Sequence, residues 1–229
     1  KIFKYKLNCF KNVEIIEEDK VCNKKQFFKI CDFFLKNKKN YKTFRKSWYY
    51  QQILKLSYVL DKNYFSNDNL VIWDADTIPL KKIKFFNKHN QPYIFGSGYE
   101  YYQPYFYTNL ILLGVESLSL NFSCITQFVA LNIENRKDIR NFLLKFNNRY
   151  KIKNNDFFVA NAFLKSLAIA EKSKSTMESD FSEYEFIGNF ILNKYKRSKK
   201  EQRRIKFFRN YVDGYLNFTQ KNILWFLNY

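Results

Sequence analysis

Two aspartates spaced i, i+2, Asp74 and Asp76, follow directly on four apolar residues, Leu70-Val71-Ile72-Trp73, and Pro79 closes the segment. A short, wholly apolar run reads as a buried strand, expected here to be parallel and covered on both faces. In a strand, residues i and i+2 point to the same side, roughly 6–7 Å apart. Two carboxylates leaving a buried strand end together cannot both ionise cheaply unless a positive charge sits between them. A hard divalent cation with oxygen ligands meets that need. The expected chemistry is a metal, Mn²⁺ or Mg²⁺, held by Asp74 and Asp76, and a diphosphate held by the metal.

Other uses of the same spacing fit less well. An EF-hand loop starting at Asp74 would need Gly at its sixth position and Glu at its twelfth. Pro79 and Phe85 stand there. A haloacid-dehalogenase-type phosphatase would use Asp74 as nucleophile, but Thr77 comes one place early and no second acidic pair follows. A metal-free turn with two solvated aspartates would not need so apolar a strand before it.

Further groups suit the same chemistry. On a helix over about 45–60, Trp48, Gln52 and Lys55 form a row beside the apolar stripe of Tyr49, Ile53, Leu56 and Leu60. That row is either a solvated flank with Trp48 capping the core or a ligand-binding edge. Ser182-Glu183-Tyr184-Glu185 contains S-x-x-E, a capping box. The box accounts for Ser182 and Glu185 but not for Glu183. A general base must accept a proton from an acceptor hydroxyl. Glu183 is the first choice for it and Glu185 the second. The run 99–107, with Pro104 its one aliphatic residue, reads equally well as a sugar-stacking surface or as an interface in a tyrosine-rich chain.

Positioning these groups requires an ordered scaffold. The pattern predicts a strand over 12–17 and a helix over 23–37 with Phe27, Phe28, Cys31 and Phe34 on one face. The 45–60 helix follows, then a turn at 67–69, the aspartate strand, and a short strand at 93–95. Later helices are expected around Ile139–Phe146, over 156–170 with Asn155 or Asp156 as N-cap, and from Ser182 onward. Residues 171–180 are polar and loop-like. Lys194–Arg209 carries nine basic residues against Glu201, and 194–229 is read as a basic, aromatic helical extension. No repeat or linker interrupts the chain, so one domain of α/β type is expected over 1–229.

Composition narrows the partners. The 229 residues suit one well-buried domain. The formal charge, 40 − 21 = +19, implies attraction to a polyanion. Phosphorylated substrates, an anionic membrane surface and nucleic acid are all admissible, the last being the competing reading that abundant aromatics also suit. Four cysteines without C-x-x-C pairing and a single histidine leave no zinc set, so reduced cysteines in the cytoplasm are expected. No apolar run approaches the ~20 residues of a membrane span. The chain starts at Lys1, and a preceding segment is expected.

The resemblance extends beyond the aspartate pair. Asp74-Ala75-Asp76-Thr77 resembles the metal motif of GT-A glycosyltransferases. Arg45–Leu56 is similar to the helix before that motif in a family of largely uncharacterised glycosyltransferases from bacterial capsule and lipopolysaccharide gene clusters. Pro104-Tyr105-Phe106 and Ser182-Glu183-Tyr184-Glu185-x-x-Gly188 are similar to later motifs of the family. The match covers about residues 45–190. Gln103 stands where that family often has histidine, and the usual opening strand and helix are not evident before Val13. The resemblance implies a GT-A-like, Rossmann-related fold with a central, mostly parallel sheet flanked by helices. It implies transfer of a sugar from a nucleotide-sugar donor to a glycan or lipid-linked acceptor. In that reading Lys55 and Arg45 contact the diphosphate or sugar, Gln52 contacts sugar hydroxyls, Trp48 stacks on a ring, and Ala75 also lies against the donor. Gln103, Tyr105 and Asp156 are then the acceptor-binding candidates. Nucleic acid is then not an expected partner. The location implied is the cytoplasm, peripheral on the inner membrane, with Lys194–Arg209 facing anionic lipid.

Overall fold

The computed structural model describes residues 14–38, 41–64, 69–74, 77, 79, 81–96, 102–114, 123–152, 156–170, 180–195 and 202–204. Their order is α1 (Glu18–Val21), α2 (Lys24–Leu35), α3 (Lys46–Leu60), β1 (Leu70–Trp73), β2 (Ile94–Gly96), α4 (Gln103–Leu113), β3 (Phe128–Leu131), α5 (Ile133–Arg149), α6 (Phe158–Ala170), α7 (Glu183–Tyr195) and β4 (Gln202–Arg204). The class is mixed α/β.

The strands depart from expectation. β1 pairs antiparallel with β3, Leu70 opposite Leu131 and Trp73 opposite Phe128. The Trp73 and Phe128 rings stack at 4.8 Å and 6°. Of the four β1 residues only Ile72 is buried, so this strand is not covered on both faces. Parallel pairing among the described residues is confined to β2 with β4. A central, mostly parallel sheet is not among the described elements. The reason is physical: four consecutive apolar residues carry no direction, and parallel or antiparallel partners accept the same run. Glu14–Glu17 is not a strand either. It leads into α1, whose first turn holds Glu18 and Asp19, where acids favour a helix N-terminus.

Helices supply the core. α6 is apolar nearly all round, and only Lys165 and Ile169 among its residues escape burial. It packs against α2, α3, α4 and α5, the position expected of a helix with no polar face. α5 starts six residues before its apolar periodicity does. Asn132 and Asn135 form a reciprocal capping box there, with Asn135 N–H donating to Asn132 Oδ1 at 2.9 Å. One turn on, buried Arg136 donates from Nε to the Val59 carbonyl (2.9 Å), and Arg140 donates to Leu60 (2.8 Å). These cations satisfy the orphan carbonyls that end α3.

Besides α1, two elements lie where no regular structure was expected. α4 begins with Pro104 in its first turn and ends at Gly114 in the left-handed conformation (φ 72°), whose N–H donates to Leu110. Proline at the start and glycine just past the end are ordinary helix boundaries. β3 is the other. Within the basic run, Lys194 and Tyr195 close α7 and Gln202–Arg204 forms β4. A continuous helical extension is therefore wrong at 202–204, and the rest of 196–229 lies outside the described residues. Cys22, Cys31 and Cys124 are buried free thiols.

Candidate active site

Three segments that the sequence singled out converge on one ammonium group. α3 brings Gln52 and Lys55, three residues apart and so neighbours on its surface. The end of β1 brings Asp74, whose N–H donates to Gln127 at 2.8 Å and prolongs the β1–β3 pairing by one residue. A turn follows: Thr77 N–H donates to the Asp74 carbonyl at 3.0 Å, and Trp73 Nε1–H donates to the Thr77 carbonyl at 2.8 Å. The first turn of α7 brings Glu183 and Tyr184. Lys55 Nζ donates to Asp74 Oδ1 at 2.7 Å and forms an ion pair with Glu183. It lies 3.4 Å from the Tyr184 hydroxyl and 4.7 Å from the centre of that ring.

The start of α7 is held from several sides. Gln52 Oε1 accepts from Glu183 N–H at 3.1 Å, and Ser182 Oγ accepts from Glu185 N–H at 3.4 Å. Just before, the Tyr49 hydroxyl accepts from Asp180 N–H at 2.8 Å, and Thr108 Oγ1 on α4 donates to the Asp180 carbonyl at 2.6 Å. Orphan donors of a helix N-terminus are thus met by side chains of α3 and by the helix's own cap. Rigid placement of Glu183 is the consequence.

Exposure and charge differ within the cluster. The Glu183 side chain is 3% exposed, against 19% for Lys55 and 18% for Asp74, so the cluster reaches solvent on the Lys55–Asp74 side. Burial pushes the Glu183 carboxyl above its ordinary value, and the Lys55 charge works against that rise. Burial would lower Lys55, but Glu183 and Asp74 outweigh it and hold the ammonium charged. One ammonium thus meets two carboxyl groups beside a solvent-facing edge.

The metal expectation meets a specific obstacle. Asp76 and Ala75 lie outside the described residues, and no group of three acidic, histidine or cysteine side chains gathers among the described ones. Asp74, the described half of the pair, already faces Lys55. The described residues therefore do not by themselves make a divalent-cation cage.

The remaining expected residues scatter. Trp48 is partly buried against the core, with the Arg45 guanidinium 5.8 Å from its ring centre. Tyr105 packs edge-to-face with Tyr102 at 4.9 Å, and both lie close enough to Tyr49 to add to the rise that burial imposes on its phenol. Gln103 is exposed, and its Nε2 lies 3.5 Å from the Tyr107 hydroxyl. Asp156 is exposed in the turn before α6, which starts at Phe158 and not at the expected cap. Glu185 points away from Lys55. Its Oε2 accepts from Cys124 N–H at 2.6 Å, and burial raises its carboxyl to about 7. Its side chain therefore serves the loop before β3 and does not complete the reciprocal capping box.

Tyr184 and Tyr49 carry interactions that no sequence signal assigned to them. Tyr184 lies inside a motif already singled out, and aromatics are so common in this chain that one more is uninformative. Tyr49 sits in the buried stripe, where periodicity reveals burial but not a hydroxyl contact. Comparison of the chain with models of known families, with curated proteins and with solved structures returned no match.

Proposed function

We propose that this chain is a GT-A-type glycosyltransferase that moves a sugar from a nucleotide-sugar donor to a hydroxyl of a glycan or lipid-linked acceptor, in the building of bacterial surface polysaccharide. The observation that carries the reading is the convergence of Lys55, Asp74 and Glu183, from three separate segments, at one solvent-facing edge. In this reading Lys55 turns toward the donor diphosphate, and Glu183 accepts the proton of the acceptor hydroxyl. The acceptor oxygen forms its bond to the anomeric carbon as the bond to the diphosphate breaks, and the electron pair leaves with the nucleoside diphosphate. Burial makes Glu183 more basic than an ordinary carboxylate, which suits that role. Charge developing on the departing diphosphate needs a cation nearby, and Lys55 supplies one.

Mn²⁺ or Mg²⁺ on Asp74 and Asp76 remains part of the proposal, with the role of stabilising that same charge. Asp74, whose Oδ1 accepts from Lys55, would hold it together with Asp76. The reading expects a cytoplasmic enzyme, peripheral on the inner membrane. Among the described residues no helix is long and apolar enough to cross a membrane.

Thermal unfolding with UDP-, GDP- and CMP-sugars, each with and without Mn²⁺, tests the reading. One donor should raise the midpoint by several degrees with metal present, and Asp74→Asn should abolish the rise. No response to any donor, together with tight, salt-sensitive oligonucleotide binding, would contradict it.

A further inference from the structure

A second feature shares no residue with the Lys55 cluster. Between α2 and α6 lies a cavity of about 370 Å³ lined by Phe33, Phe34, Lys38, Lys165, Ala168 and Ile169. Phe33 is 78% exposed, about twice the exposure of any other large apolar side chain described as exposed. It packs edge-to-face on Phe34 at 5.0 Å. Lys165 and Ile169, the two α6 residues that escape burial, form the facing wall. Lys165 Nζ lies 5.4 Å from the Tyr150 ring centre, which carries the aromatic–cationic surface on to the end of α5 and its exposed neighbours Arg149 and Lys151. Exposed Lys29 on α2 and Lys36, the residue that caps its C-terminus, stand one turn before and after Phe33 on the same face. None of the six lining residues is acidic, and Asp32, beside Phe33 in sequence, is taken by Lys46 at 2.6 Å.

We propose that this surface docks on the anionic face of a lipid bilayer, with Phe33 entering the interface and the surrounding lysines meeting the lipid phosphates. A protruding aromatic ringed by lysines fits a layered target, apolar below and negative above. Lysine stems cover apolar surface while their charged ends reach the headgroups. A nucleic-acid strand fits less well. Of the two lining rings Phe34 is half-buried and stands edge-on to Phe33, so they make no parallel platform for successive bases, and Ala168 and Ile169 add apolar surface without a ring. The surface uses none of the residues of the Lys194–Arg209 run and does not depend on the glycosyltransferase reading.

Vesicle flotation of the full chain tests the proposal, comparing phosphatidylcholine alone with vesicles containing about one-third phosphatidylglycerol. The anionic vesicles should carry the protein and the neutral ones should not. Phe33→Ser, exposed and so harmless to the core, should weaken binding about tenfold. Lys38→Glu with Lys165→Glu should weaken it further, by more than the roughly fivefold expected for losing one basic contact. Binding that these variants leave unchanged would overturn the proposal and move the contact to another basic surface. Absence of binding to anionic vesicles would overturn it as well. So would binding to single-stranded oligonucleotides alone, lost in the same variants.

Discussion

Glu183 and Glu185 sit two residues apart in the first turn of α7, both buried, and their surroundings could hardly differ more. Glu183 is paired to a cation that reaches solvent and also touches Asp74. Glu185 faces inward, where its carboxyl caps the Cys124 N–H and no solvent reaches it. Burial raises both carboxyls, yet only Glu183 is paired with groups that reach solvent, Lys55 and through it Asp74. The lesson is that burial alone does not single out an acid for chemistry; the partner it keeps, and whether that partner reaches solvent, decides which acid to test. A buried acid bound to backbone is a structural part, however far its proton affinity has moved.

Removing Lys55 should have the largest effect on this contrast. Lys55→Met strands a buried Glu183 beside Asp74, and loss of one partner of a buried pair costs about 3–5 kcal/mol. Denaturant unfolding at neutral pH should show that loss, with partial recovery in acid as Glu183 takes up a proton. No recovery in acid would mean that Glu183 is not the stranded charge.

Glu185 should instead govern how stability varies with pH. Its folded value is about 7 against an ordinary 4.5, so between these values the folded state holds a proton that the unfolded chain has lost. Stability contributed by this group is full below about 4.5 and is lost as pH rises toward 7, by about 3 kcal/mol over the window. Glu185→Gln should flatten that slope in urea titrations run across the window. A slope unchanged by Glu185→Gln would break the assignment.

Gly188 gives the smallest expected effect. A methyl group there would come within 2.3 Å of Cys124 Sγ and 2.6 Å of Cys124 Cβ, so Gly188→Ala should cost about 1–3 kcal/mol through overpacking. Cys124→Ala in the same chain removes the sulfur contact but leaves the Cβ contact, and should recover part of the loss. Full stability of Gly188→Ala would mean that the loop before β3 does not rest on α7.

The same helix shows how far sequence reasoning reaches. The Ser182–Gly188 pattern marked a helix start and a candidate base, because capping residues and unexplained acids are visible one residue at a time. It did not show that Glu185 would turn to Cys124, or that Gly188 makes room for that loop, since both depend on a segment some 60 positions away. Lys55 was legible as an odd cation beside an apolar stripe. Its meeting with Asp74 and Glu183 required the packing of α3, β1 and α7. The direction of β1 was not legible, because an apolar run does not encode its partner. α4 was hidden by its aromatic content, although Pro104 and Gly114 mark both of its ends.

The central claim is that Glu183, and not Glu185, acts on the acceptor. Release of nucleoside phosphate from the activating donor should be measured for Glu183→Gln and Glu185→Gln side by side, at a pH where both fold. Glu183→Gln should lower kcat by about 10²–10⁴ with little change in donor affinity, while Glu185→Gln stays within a few-fold of the parent chain. Equal losses in the two variants, or full turnover in Glu183→Gln, would contradict the account.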